Sequence, residues 1–126
     1  MNLQLTNGPT KKYDLEERTA QFAEKVIDIL RDIPKTPVNN PLIEQLMKSS
    51  GSIGANYCEA TEAESKKDFI HKIGISKKEA KESQYWFRLL AKANPQKTQE
   101  LEILQKEVHE LLLIFSATIR TSKRGI

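Results

Sequence analysis

Few side chains in this chain have both the type and the spacing that chemistry demands. His109-Glu110 opens the H-E-x-x-H pattern that sets two imidazoles on one helical face to hold zinc, but Leu113 stands where the second His belongs. The other histidine, His71, falls on a different predicted helix. A thiol nucleophile at Cys58 needs a base and an orienting group, and no such pattern surrounds it. Glu59, Glu62, Glu79, Glu82, Glu107 and Glu110 are numerous enough for acid–base work. Glu79 and Glu82, however, sit among Lys77, Lys78 and Lys81, where ion pairs three or four residues apart account for them. Gly51-Ser52-Ile53-Gly54 lacks the third glycine and the preceding strand of a dinucleotide loop. The expectation is a protein that is not an enzyme, with no catalytic residue, no metal and no cofactor.

Charge is more informative. Residues 1–65 carry seven Lys/Arg against ten Asp/Glu, residues 66–92 eight against three, and residues 93–126 five against four. The middle segment is therefore at +5 while the whole chain is at +3. Such an excess attracts phosphate, because each cation laid on a nucleic-acid backbone releases condensed counterions. The candidates for RNA or DNA binding are Lys66, Lys67, Lys72, Lys77, Lys78, Lys81, Arg88, Lys92, Arg120, Lys123 and Arg124. A solvated helix face, with Asp68, Glu79 and Glu82 interspersed, is the competing reading. Tyr85-Trp86-Phe87 cannot all enter one core stripe, since successive helical residues point about 100° apart. Tyr85 and Trp86, with Tyr57, are the candidates for an oligomer or protein-partner interface. Ser49, Asn56, Ser76 and Ser83 fall on core stripes and predict a small buried polar seam that sets helix register.

These residues need elements to hold them, and the apolar period supplies four helices. Asp14 caps the first, whose stripe is Leu15, Thr19, Phe22, Val26, Ile29 and Ile33, and Pro34 and Pro37 end it. Asn40-Pro41 reads as the cap and first residue of the second, which runs toward Glu64 through Leu42, Leu46, Ser49, Ile53, Asn56 and Ala60. Its Ser and Gly residues predict either close approach of a neighbouring helix or a flexible linker, and the unbroken stripe favours the helix. Ser65 and Asp68 start the third, with Phe69, Ile73, Ser76, Ala80, Ser83, Phe87 and Leu90 inside, and Asn94-Pro95 closes it. The fourth begins by Gln96 to Thr98 and carries Leu101, Leu104, Val108, Leu111, Phe115 and Thr118.

The chain of 126 residues, 38% hydrophobic and 29% charged, is sized for one soluble all-α domain, an antiparallel up-down-up-down four-helix bundle. The expected division is a flexible tail over 1–13, the bundle over 14–122 and a basic C-terminal tail over 123–126. The longest apolar run, Leu111 to Phe115, is far short of the ~20 residues a membrane helix needs. With no secretory pattern at the start and a single cysteine, the expected location is the cytoplasm, with no membrane partner.

Three segments carry a resemblance: Asp14-Leu-Glu-Glu-Arg-Thr-Ala-Gln-Phe-Ala23, Gln45-Leu-Met-Lys-Ser-Ser-Gly-Ser-Ile-Gly-Ala-Asn-Tyr-Cys-Glu-Ala60, and Asp68-Phe-Ile-His-Lys through to Phe87. With them the chain resembles, over roughly residues 13–122, the small four-helix-bundle family linked to intervening sequences of bacterial 23S rRNA, also labelled S23 ribosomal protein. Many relatives have Gly where this chain has Ala60. The resemblance implies a homopentameric bundle without established enzymatic activity. It also implies a distant similarity to the accessory protein of diversity-generating retroelements, a pentameric bundle that binds nucleic acid and a reverse transcriptase.

Overall fold

The computed structural model describes residues 14–124, which form four α-helices and one short 3-10 turn. The expected N-terminal tail, residues 1–13, and the last two residues lie outside the described part. Helix α1 spans Leu15–Arg31 and starts where the Asp14 carboxylate accepts from the Glu17 amide at 3.1 Å. Its open end is covered by Lys35, whose ammonium donates to the carbonyls of Leu30 at 3.2 Å and Ile33 at 2.8 Å.

Helix α2 spans Asn39–Thr61, which corrects the expected start. Asn40 is not the cap. Thr36 takes that role: its hydroxyl accepts from the Asn39 amide at 3.0 Å and its carbonyl from the Asn40 amide at 2.9 Å, with Pro37 following. The cap-then-proline signal was read four residues too late, because Thr36-Pro37 and Asn40-Pro41 offer the same chemistry. Helix α3, Lys66–Ala93, is capped by Ser65, which accepts from the Asp68 amide at 3.0 Å. A 3-10 turn, Pro95–Lys97, leads into helix α4, Thr98–Arg124. Lys123 and Arg124, the first two residues of the expected basic tail, are helical, and their cations sit where the helix dipole is negative.

The partner pairs give the directions of the helices. Between α2 and α3, Glu59 meets Lys72, Ile53 meets Ser76 and Ser49 meets Ser83, so numbers rise on one helix as they fall on the other. The same reversal holds between α3 and α4, where Gln84 meets His109 and Lys66 lies beside Lys123. Arg18 with Glu107, and Asp32 with Lys97, show it between α1 and α4. The bundle is antiparallel, up-down-up-down. Phe22 against Phe87 (6.2 Å between ring centres) and Tyr57 against Phe115 (6.3 Å) join the helices that share no flank, across a core of Val26, Leu46, Ile53, Ile73, Leu101 and Leu111.

Polar groups inside this core are paired. The hydroxyls of Ser49 and Ser83 lie 2.8 Å apart, and that of Ser76 donates to the Ile53 carbonyl at 2.9 Å. Asn56 corrects the predicted seam: it is only half-buried, and its amide donates to Ser52 of its own helix at 2.9 Å. A second buried pair was not foreseen. Asn39 and Asn94 exchange amide hydrogen bonds at 3.0 and 2.9 Å, and their remaining N–H groups reach the carbonyls of Pro34 and Leu90. All four side-chain N–H bonds find acceptors, which cancels the cost of burying two amides.

At the α1–α4 flank, Arg18 donates through Nε to Glu107 at 2.7 Å and through Nη2 to Glu107 at 3.0 Å and Glu110 at 2.7 Å. The hydrogen bond that it donates to Glu107 is the main reason the guanidinium holds its proton even more tightly than usual. The Arg18 side chain is only 20% exposed, so this clasp is stronger than an ordinary surface pair.

Two glycines allow opposite expectations. A Cβ on Gly54 would meet the Thr19 hydroxyl oxygen at 2.8 Å and its Cβ at 3.1 Å, and Thr19 is buried with that hydroxyl donating to the Leu15 carbonyl. A Cβ on Gly74 would meet nothing within 4 Å. In urea unfolding, Gly54→Ala is expected to cost about 1–3 kcal/mol through overpacking. Gly74→Ala should gain about 0.5–1 kcal/mol of helix propensity. For the clasp, a double-mutant cycle of Arg18→Ala with Glu107→Ala should return a coupling of about 1 kcal/mol that shrinks as salt is added.

Candidate nucleic-acid interface

The core stripe of α3 dictates what its opposite side presents. With Ile73, Ser76, Ala80, Ser83, Phe87 and Leu90 turned inward, Lys77, Lys81, Arg88 and Lys92 recur at steps of four, seven and four along the solvent side. Lys66, Lys67 and Lys78 lie on the same outer half. All are exposed except Lys77, which is half-buried. The row spans about 22 Å from Lys77 to Lys92 at 1.5 Å per residue.

The tertiary structure adds to this row at one end. Because α4 runs antiparallel to α3, Lys123 is brought beside Lys66 and Lys67 around the apolar side chain of Ile70. Arg120 and Arg124 are on the adjoining turn of α4. One candidate is withdrawn from the set: Lys72 points toward α2 and forms an ion pair with Glu59 at 2.7 Å, whose hydrogen bond raises the lysine pKa. Among the described residues, the other ten candidates form no ion pair.

The acids keep to the other flank. Glu59, Glu62, Glu64 and Asp68 line a cleft at the α2–α3 turn, which also holds Cys58 and has no imidazole in its lining. Glu79 faces Lys48 of α2. Its carboxyl is raised above the ordinary 4.5, first by burial and then by Glu82, with Lys78 and Lys48 pulling the other way. Trp86 belongs to this flank, half-buried, with Nε1 donating to Glu82 at 3.3 Å. Tyr85, edge-on to Trp86 at 5.0 Å and 55% exposed, stands between Lys81 and Arg88 at spacings of four and three. Tyr57 is half-buried against Phe115 of its own chain, and burial pushes its phenol upward.

A cleft between α1 and α4 surrounds Arg18, with Gln21, Lys25, Ile103 and Lys106. Its guanidinium is already occupied by two carboxylates, and no Ser, Cys or His lines the cleft. Among the described residues, no group of three His, Cys, Asp or Glu side chains is placed to hold a metal ion, and no helix is long and apolar enough to cross a membrane. The Arg18 clasp and the Asn39–Asn94 pair escaped sequence reasoning because their members are 89 and 55 positions apart. Only Asn94, just before Pro95, carried a local signal.

Glu79 yields a pH test. Its folded value lies above its unfolded one, so stability falls as pH rises through the window above 4.5. Glu79→Gln should melt at a higher temperature than the parent at pH 7, and the difference should close as pH drops below 4.5.

Comparison with known proteins gives this surface a family setting. The family described as "23S rRNA-intervening sequence protein" matches residues 11–117. The chain is also similar to a crystal structure from Bacteroides thetaiotaomicron, described as a protein of unknown function from the S23 ribosomal protein family. The two share 29% identity with a TM-score of 0.74, over 84% of this chain and 98% of that one. No curated protein matches the chain significantly. With the four-helix architecture in place and the match covering all but the chain's ends, the chain belongs to the 23S rRNA-intervening sequence protein family.

Proposed function

We propose that the protein is a non-enzymatic, cytoplasmic homo-oligomer, a pentamer, that holds nucleic acid through the outer face of α3 and the adjoining end of α4. The observation that carries this reading is the segregation of charge. Among the described residues, seven cations on the solvent side of one helix form no ion pair, while Glu59 and Asp68 line the cleft on the side toward α2. An ordinary solvated face mixes both signs. Repetition of the face around a ring multiplies a field that one copy generates only weakly. The resemblance described above supports the pentamer, and the half-buried Trp86 on the α2-facing flank supplies an aromatic contact that leaves the lysine row open.

The second reading is a protein-interaction scaffold, favoured by the exposure of Tyr85 beside Trp86. A single variant set separates the two. Lys77→Glu, Lys81→Glu and Arg88→Glu together should weaken binding of a labelled structured RNA by about 100-fold at low salt and lower the salt slope by about 2. Melting temperature and sedimentation should be unchanged. Full retention of RNA binding rejects the nucleic-acid reading. Trp86→Ala should shift the sedimenting species toward smaller assemblies, and an unchanged assembly removes Trp86 from the interface.

A further inference from the structure

The cations of α3 are arranged in two groups. Between the cluster of Lys66, Lys67 and Lys123 and the row that begins at Lys77 lie about 15 Å of helix, ten residues at 1.5 Å each. On α3 itself this stretch carries no outward cation: Lys72 is turned away to Glu59, leaving Ile70, His71 and Gly74, with Arg120 of α4 alongside at the edge. At Gly74 an added Cβ meets no atom within 4 Å, so the helix backbone is open to approach from outside. The surface is also a low ridge. Helix α3 has its two most extensive interfaces with α2 and α4, one on each flank, so it does not project as a free rod.

We infer that this face straddles double-stranded RNA across its minor groove, with one cationic group on each phosphate strand and the Ile70–Gly74 stretch over the groove. The inference rests on the nucleic-acid reading above and specifies its ligand. The major groove of B-DNA, about 12 Å wide and about 8.5 Å deep, accepts a helix that protrudes. A ridge held between two neighbours cannot reach its floor. The minor groove of A-form RNA is wide and shallow and admits such a ridge. A single strand is disfavoured because its binders provide several stacking platforms along a groove, whereas this face has Tyr85 alone on a convex surface.

The test is fluorescence anisotropy of the full chain with three labelled probes: an RNA duplex of about two turns, the DNA duplex of the same sequence, and one RNA strand alone. The RNA duplex should bind about tenfold more tightly than either of the others. Gly74→Leu, whose Cβ meets nothing within 4 Å and whose side chain would project over the groove, should weaken RNA-duplex binding by about tenfold with no fall in melting temperature. Equal or tighter binding of the DNA duplex or the single strand overturns the straddling geometry while leaving the nucleic-acid reading intact, as does undiminished RNA-duplex binding by Gly74→Leu. Failure to bind all three probes overturns both.

Discussion

Helix α3 lies against α2 because the side chains between them are small and hydroxylated. Ser83 and Ser49 share a hydrogen bond at 2.8 Å, Ser76 reaches the Ile53 carbonyl, and Ala80 fills the turn between them. Each bond contributes only about 1 kcal/mol net. Their larger effect is on alignment. Sliding one helix by a turn would break both of these contacts at once and set larger side chains against the serines and Ala80. That alignment sets the rotation of α3 about its axis, and the rotation sends the lysine row outward and Lys72 toward Glu59.

The rest of the bundle closes around this pair. Gly54 admits α1 against α2 at the level of Thr19, and the Arg18 clasp draws α1 to α4. Asn39 and Asn94 tie the first turn of α2 to the turn after α3, fixing that end of the bundle with a fully satisfied amide pair. Three different polar devices thus hold helices whose burial is otherwise aliphatic and non-directional. Periodicity placed the serines of the seam, but not the Arg18 clasp or the asparagine pair, because it reports where a residue faces and not whom it meets.

Electrostatics follow from the same geometry. The chain's modest net charge of +3 conceals local sorting on α3, with Glu59 and Asp68 in the cleft toward α2 and Lys66 and Lys67 beside Lys123 of α4. Lys72 illustrates the sorting: equal to its neighbours in sequence, it is paired with Glu59 because it sits on the flank that turns toward α2. Asn56 is the opposite case. It shares the period of the α2 stripe but stands near its edge, where its own helix satisfies it.

The sequence by itself determined the four helices, their inward stripes and the caps at Asp14 and Ser65, because these depend on contacts three and four residues apart. It located the cations on one helix for the same reason. Local chemistry does not separate the cap-and-proline pairs Thr36-Pro37 and Asn40-Pro41; in the fold Thr36 caps α2 and Asn39 is buried against Asn94. Tertiary structure alone decided that Lys123 joins Lys66, that Lys72 is neutralised and that Arg18 is clasped. Such pairings depend on helix direction and rotation, which are settled by packing between residues far apart in the chain.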